Sequence, residues 1–363
     1  MRRLAGDFLG EKGIFTSDGR TWFAQRKLAS HIFAVSNFRN RIQAAVLHDL
    51  GKLDALCKDA HEKEARVNLP DVFHRFTLDA FLKMAFGVYL GALPDNIAGL
   101  NDRVEFSSCF DYSQNFVERR SLYFLPIWTE IFSSEGRRHR RSVKYVYDFS
   151  RKLIDERCQA LKTETADSAS NDGKDLMQLF LDAGCRREDL PSVILNFIIA
   201  GRDTTAQSLS WFMYEMWQHP EVAEKVRREV WSVVGRAPQR KLEYDDYKLM
   251  PYTNAAFYES IRLHPSAPLT RKRAVCDTVL RPAMEEATLP AKDLPDLVVR
   301  KAESVQFSDY VIARMPEVWG EDCEQFNPER FLTDEGQFKQ ISPYLFRAFS
   351  EYMFKSCPFG SAN

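Results

Sequence analysis

An apolar stretch at residues 193–217 sets much of what this chain can become, because polar residues interrupt it at its centre. Read as one helix it is roughly 37 Å long, enough to cross a domain. Its middle reads Ala200-Gly201-Arg202-Asp203-Thr204-Thr205-Ala206. Glycine there costs about 1 kcal/mol against alanine, and buried Asp and Thr need partners. Small residues at 200 and 201 let a flat ligand approach the backbone. Thr204 can bond back to the preceding turn or, where the helix opens, hold a water, and Asp203 beside it can relay protons. The plain structural alternative is an Asp-Thr pair at a helix bend.

Helical periodicity dominates the remainder. Segments at 21–34, 37–60, 70–87, 140–161, 189–218, 220–234 and 251–263 show an apolar face or are apolar throughout. Pro220 after His219 suits the first turn of a helix. Residues 162–175 are polar and rich in Ser, Thr and Asp, which predicts an exposed loop. Strand-like pieces are short, at 278–280, 297–300 and 304–311, all in the last third. No linker separates the two patterns, so 1–363 reads as a single domain, mostly α with a small β part.

Charge excludes one class of partner. Lys plus Arg number 50 against 51 Asp plus Glu, so no global positive field is available to hold nucleic acid. The basic run Arg137-Arg138-His139-Arg140-Arg141 therefore reads as a solvated helix start. Seven cysteines, odd in number and without a CxxC pair, argue against a disulfide framework or structural zinc. His61-Glu62 opens like a zinc-protease motif, but Ala65 stands where the second His belongs. The start of the sequence lacks the apolar core of a signal peptide, and no uninterrupted apolar run has the length of a bilayer span.

Three further motifs matter together. Glu259 and Arg262 lie at i, i+3 on one helix face, in Glu259-Ser260-Ile261-Arg262-Leu263-His264-Pro265. Arg330 sits in the Pro-bounded loop Phe326-Asn327-Pro328-Glu329-Arg330-Phe331, where it can fork onto the Glu259 carboxylate. Trp22 and Arg26 lie at i, i+4, placing an indole N–H and a guanidinium where they can grip one carboxylate. In this order along the chain, the four motifs resemble the cytochrome P450 superfamily of haem-thiolate monooxygenases. Finer features resemble its fungal fatty-acid and alkane hydroxylase branch: Gly13-Ile14-Phe15-Thr16-Ser17-Asp18-Gly19, Gln25-Arg26-Lys27-Leu28-Ala29-Ser30-His31, the Ala200–Ala206 motif, and Leu263-His264-Pro265-Ser266-Ala267-Pro268.

The resemblance implies haem b as cofactor, an apolar small-molecule substrate and an NADPH-dependent reductase. For intact relatives it implies a membrane surface, at the cytosolic face of the endoplasmic reticulum. Asp203 and Thr204 would be the acid–alcohol pair that delivers protons for dioxygen activation. Trp22 and Arg26 would bind one haem propionate. A second propionate cation is expected within Leu269-Thr270-Arg271-Lys272-Arg273-Ala274, with Lys272 nearest the family position and Arg271 or Arg273 one residue away. Glu259, Arg262 and Arg330 would form a buried ion-pair network.

Two departures qualify that expectation. The family's N-terminal anchor region has no counterpart before the Trp22 helix, and its haem-ligand loop, Phe-x-x-Gly-x-Arg-x-Cys-x-Gly, is not matched after Phe349. There the chain reads Ser350-Glu351-Tyr352-Met353-Phe354-Lys355-Ser356-Cys357-Pro358-Phe359-Gly360. Cys357 lies one residue too far along, and the Gly and Arg before it are absent. A metal ligand is accordingly not assigned, and the P450 fold is expected to be incomplete at both ends. A read-through intron is one source of this pattern, since codons for Ser350-Glu351-Tyr352 can contain a splice-donor sequence. The rival function is a non-catalytic helical remnant or interaction protein without haem. An isomerase or dehydratase on the same fold would dispense with Asp203 and Thr204.

Overall fold

Local sequence sets the helix limits in the computed structural model, which describes residues 2–31, 42–122, 129–163, 175–236, 242–280, 295–342 and 345–348. The helices are α1 (Arg2–Leu9), α2 (Gly19–Ser30), α3 (Gln43–Glu62), α4 (Leu69–Phe86), α5 (Glu105–Leu122), α6 (Thr129–Phe132), α7 (Ser134–Thr163), α8 (Leu176–Asp182), α9 (Leu190–Gln218), α10 (Pro220–Val234) and α11 (Pro251–Leu263). Two short ones follow, α12 (Asp309–Ile312) and α13 (Pro316–Trp319). Four strands, β1 (Leu269–Arg273), β2 (Thr278–Leu280), β3 (Leu297–Val299) and β4 (Ser304–Ser308), form two antiparallel pairs, β1 with β4 and β2 with β3. The fold is mostly α with a small β part, as the periodicity predicts.

Caps explain the boundaries. Asn68 accepts from the Asp71 amide at the start of α4, and Gly87 closes its end in the left-handed region at φ 71°. Asp175 and Gln178 form a reciprocal capping box on α8. Pro220 occupies the first turn of α10 after His219, as its position in the sequence predicts.

The chain divides into two compact units, Met1–Ala206 and Gln207–Asn363, with the boundary inside α9. In the first, Leu78, Leu82 and Phe86 of α4 share a core with Phe106 and Phe110 of α5, Ile154 of α7, Phe180 of α8 and Ile194 and Ile198 of α9. Burying such side chains stabilises by roughly 1.5–3 kcal/mol each. Asn196 is the polar exception. Its amide nitrogen donates to the carbonyls of Leu9 and Ser192, and its oxygen accepts from the Phe15 amide. This fastens the segment after α1 to α9, and a Cβ on Gly13 would lie 1.9 Å from that amide nitrogen. In the second unit, Ala255 and Ile261 of α11 pack with Phe331 and Phe346.

Several sequence expectations are corrected. Helix α5 was not anticipated, although Phe106, Cys109, Phe110, Ser113 and Phe116 bury at helical spacing. Strand β1 also goes beyond the reading, because its partner β4 is distant in sequence. The strand expected at 304–311 stops at Ser308, whose hydroxyl accepts from the Val311 amide and caps α12 instead. Helix α7 continues to Thr163, and the rest of the loop expected at 162–175 lies outside the described residues until the cap at Asp175. The basic run is a solvated helix start as expected, its four arginines exposed near the beginning of α7, with His139 the one exception. His139 is buried and bonded to Asp7, Arg137 and Arg140 donate to the carbonyls of Phe132 and Ile131, and Arg138 stacks over Tyr112. Among the described residues every cysteine is a free thiol, no cluster of three or more His, Cys, Asp or Glu could hold a metal ion, and no helix is long and apolar enough to cross a membrane.

Candidate active site

Helix α9 carries the first part of the site as an unbroken α-helix through Gly201 and Thr205. Gly201 does not open a path for a flat ligand, contrary to expectation. A Cβ there would sit 2.2 Å from Cδ2 of Phe81, so its smallness lets α4 pack closely. Arg202 is buried and forks onto Asp111 of α5 at 2.6 and 3.2 Å. The Thr77 hydroxyl of α4 lies 3.0 Å from the Arg202 carbonyl. The motif is thereby tied to α4 and α5 on its buried side. Its other side is open: Thr204 is exposed and its hydroxyl donates to the Ala200 carbonyl at 2.7 Å.

Asp203 is only 6% exposed, and its Oδ1 has no hydrogen-bond partner among the described residues. Arg202 Nη1 lies 3.3 Å from that oxygen, outside hydrogen-bonding alignment, and His74 Nε2 of α4 lies at 4.0 Å. Burial pushes the Asp203 carboxyl above the usual carboxylate range, while Arg202, His74 and a Gln114 hydrogen bond oppose the shift and Asp111 reinforces it. The folded state therefore keeps a proton that the unfolded chain has released. Stability falls as pH rises from the unfolded-state pKa, about 3.9, through the raised folded value. Asp203→Asn is expected to abolish this loss and to raise the melting temperature at neutral pH, as read by thermal unfolding between pH 4 and 8. A pH dependence identical to that of the parent would show that Asp203 ionises as freely as in water.

The carboxylate-gripping residues lie where their spacing puts them. Trp22 and Arg26 are both half-buried on α2, with the guanidinium 5.6 Å from the indole centroid. The alternation of β1 separates the three candidate cations: Lys272 is half-buried, whereas Arg271 and Arg273 face the exposed side, Arg273 donating to the Ala302 carbonyl. The strand geometry thus favours Lys272. An indole N–H and a guanidinium on α2 have the donor chemistry that suits a haem carboxylate, and the Lys272 ammonium on β1 is by itself a further donor of that kind. Cys357 lies outside the described residues.

Glu259, Arg262 and Arg330 come together in the second unit. Arg262 donates to both Glu259 oxygens at 2.6 and 2.8 Å, with the pair 2% and 0% exposed. Its remaining protons reach the carbonyls of Ala313, Cys323 and Gln325. Arg330 does not fork onto Glu259 as expected: its Nε lies 3.4 Å from the carboxylate without a hydrogen bond, because its two terminal nitrogens donate to the carbonyls of Trp319 and Asp322. The Asn327 amide also donates to Glu259. Sequence reading missed the backbone partners and a second tie to α9: His264, stacked 4.0 Å from Trp211, contacts the buried Glu215 at 2.6 Å.

The family model for cytochrome P450 matches residues 4–360 of the chain. The chain belongs to the cytochrome P450 family. Among its curated relatives, a cytochrome P450 monooxygenase cyp1 of Mycosarcoma maydis is 32% identical over 350 residues, 92% of this chain and 51% of the relative. Cytochrome P450 94A1 of Vicia sativa is 32% identical over 334 residues, 90% of this chain and 59% of the relative. A cytochrome P450 of Arthroderma benhamiae is 32% identical over 346 residues, 91% of this chain and 63% of its own length. The chain thus spans between half and two-thirds of the length of these three P450 relatives. Haem is the cofactor this P450 membership implies, and Trp22, Arg26 and Lys272 are the described residues whose chemistry suits it.

Proposed function

We propose that this protein is a haem-dependent monooxygenase that hydroxylates long-chain fatty acids or alkanes, taking electrons from an NADPH-dependent reductase at a membrane surface. The observation that carries the reading is the pairing, on one unbroken helix, of a buried carboxyl biased towards its protonated form with an exposed hydroxyl beside it. The fatty-acid branch is supported by the motifs at 13–19, 200–206 and 263–268, and family membership supports oxygen insertion.

Haem, when bound, supplies the redox centre at which dioxygen is activated. Asp203 stores a proton in a site shielded from bulk water. The Thr204 hydroxyl commits its own proton to Ala200, so its oxygen accepts and positions an incoming water. Trp22 and Arg26 supply donors for one propionate, and Lys272 is the candidate cation for the second. The Glu259–Arg262–Arg330 network fixes the segment that runs from α11 to Phe331.

Thr204→Ala tests the mechanism in a longer chain that carries the family's haem-ligand loop, loaded with haem and supplied with reductase, NADPH and a long-chain fatty acid. NADPH consumption is expected to continue while hydroxylated product falls and hydrogen peroxide rises. Unchanged coupling of NADPH to product would remove Thr204 from proton delivery, and the absence of any oxygenated fatty acid or alkane would end the substrate assignment.

A further inference from the structure

The buried oxygen of Asp203 faces a histidine that the acid–alcohol pair does not use. His74 lies on α4, where its Nδ1 is 2.7 Å from the Pro70 carbonyl. A carbonyl only accepts, so Nδ1 carries a hydrogen in either charge state of the ring. Proton exchange is thereby confined to Nε2, the atom 4.0 Å from Asp203 Oδ1. The two side chains differ in exposure, 28% for His74 against 9% for Asp203, so the ring reaches solvent and the carboxyl does not.

The other charged groups around the pair are already committed. Arg202 is forked onto Asp111. Gln114 of α5 donates to Glu118 and has no ionisable proton. Arg75, next along α4, is held by Asp71 and by the carbonyls of Ala92, Leu100 and Asp102. Of the groups that face Asp203 from α4, α5 and its own helix, Asp111 is held by Arg202, and His74 is a proton donor and acceptor whose ring is open to water.

We propose that His74 is the proton-exchange residue of Asp203, connecting its buried carboxyl to solvent. In the forward step the imidazolium Nε2–H bond breaks and an O–H bond forms at Asp203 Oδ1. The ring is left neutral with Nδ1–H still on Pro70, and a solvent proton then restores Nε2–H. No electrons move. A separation of 4.0 Å exceeds a hydrogen bond, so one bridging water or a closure of about 1 Å completes the path. The inference rests on the proton-storing role proposed for Asp203 and supplies the route by which that store is refilled. His74 acts through Asp203 and is a positioning and relay residue.

The test follows Asp203 directly and needs no turnover. In the full chain, the carboxylic C=O band that disappears in Asp203→Asn is recorded by infrared spectroscopy, at equilibrium across pH and after a rapid pH jump. His74→Gln and His74→Phe are expected to slow reprotonation of Asp203 by about tenfold or more, within the usual reach of general acid–base groups. Both are also expected to move its midpoint to higher pH, because a cationic neighbour is lost. His48→Gln on α3 is the control and should change neither. Parent-like rates in both His74 variants, or an Asp203 band that never appears between pH 4 and 8, would overturn the proposal. A clear His74 effect alongside an absence of any oxygenated product would uphold the relay and sink the proposed monooxygenase function, so the two failures are distinguishable.

Discussion

Arg262→Ala is expected to lower folding stability by about 3–5 kcal/mol, because a buried ion pair that loses one partner leaves the other charge uncompensated. Glu259 is fully buried and, among the described residues, would keep only the Asn327 amide and a 3.4 Å approach from Arg330. The same change strips donors from the carbonyls of Ala313, Cys323 and Gln325. Arg262→Lys should recover little, since an ammonium cannot reproduce a planar fork that spans a carboxylate and three carbonyls. Removing Lys152 from its 3.8 Å pair with Glu156, 74% and 50% exposed, sets the contrast, because exposed pairs contribute about 0–1 kcal/mol. Urea unfolding of the three variants gives the comparison. A loss for Arg262→Ala no larger than for the Lys152 variant would mean that water reaches the network. Domains are stable by only about 5–15 kcal/mol, so the expected loss would unfold a measurable fraction of the protein near body temperature.

How far the sequence discloses this architecture depends on the range of the forces involved. Helices α7, α9, α10 and α11 are legible because long apolar periodicity marks them, helped by Pro220 and Pro251 in the first turns of α10 and α11. Helix α5 is not: Ser107, Ser108, Asp111, Ser113 and Asn115 are weak helix formers, and the segment is helical because Phe106, Phe110 and Phe116 bury. Missing α5 hid Asp111, and with it the reason Arg202 can be buried. Strand β1, rich in basic residues, is specified by hydrogen bonding to β4 rather than by its own pattern.

The candidate site divides in the same way. Asp203 with Thr204, Trp22 with Arg26 and Glu259 with Arg262 are neighbours through helical spacing, so sequence alone puts them together. Arg330 approaches Glu259 from a loop, and its Pro-bounded setting rather than any period pointed to it. His74 left no signal at all, since its approach to Asp203 is made by helix packing. Gly201 was read through its chemistry as a place for a ligand, whereas the ring of Phe81 takes the space its missing side chain leaves. A small residue marks a close approach but not what approaches.

Reconstituted with hemin, reduced and exposed to carbon monoxide, the 363-residue polypeptide is expected to lack the Soret band of thiolate-ligated haem. A cysteine ligand must be held as the thiolate, which takes amide donors and positive charge around sulfur. Before Cys357 the chain has Phe354-Lys355-Ser356, so Lys355 is the nearest cation and the Gly and Arg of the family loop are absent. Trp22, Arg26 and Lys272 still offer donors to propionates, but grips of that kind without an axial bond leave the haem weakly and heterogeneously held. The consequence extends to folding. A ligand at 1,000 times its dissociation constant stabilises the native state by about 4 kcal/mol. A polypeptide without that contribution should melt at the same temperature with and without added hemin. Cys357→Ala is the decisive control. A stoichiometric thiolate-type band in the parent that vanishes in Cys357→Ala would make Cys357 the iron ligand despite its sequence surroundings. A parent without the band, and a variant indistinguishable from it, would show that thiolate ligation needs the Gly-x-Arg spacing that this stretch lacks.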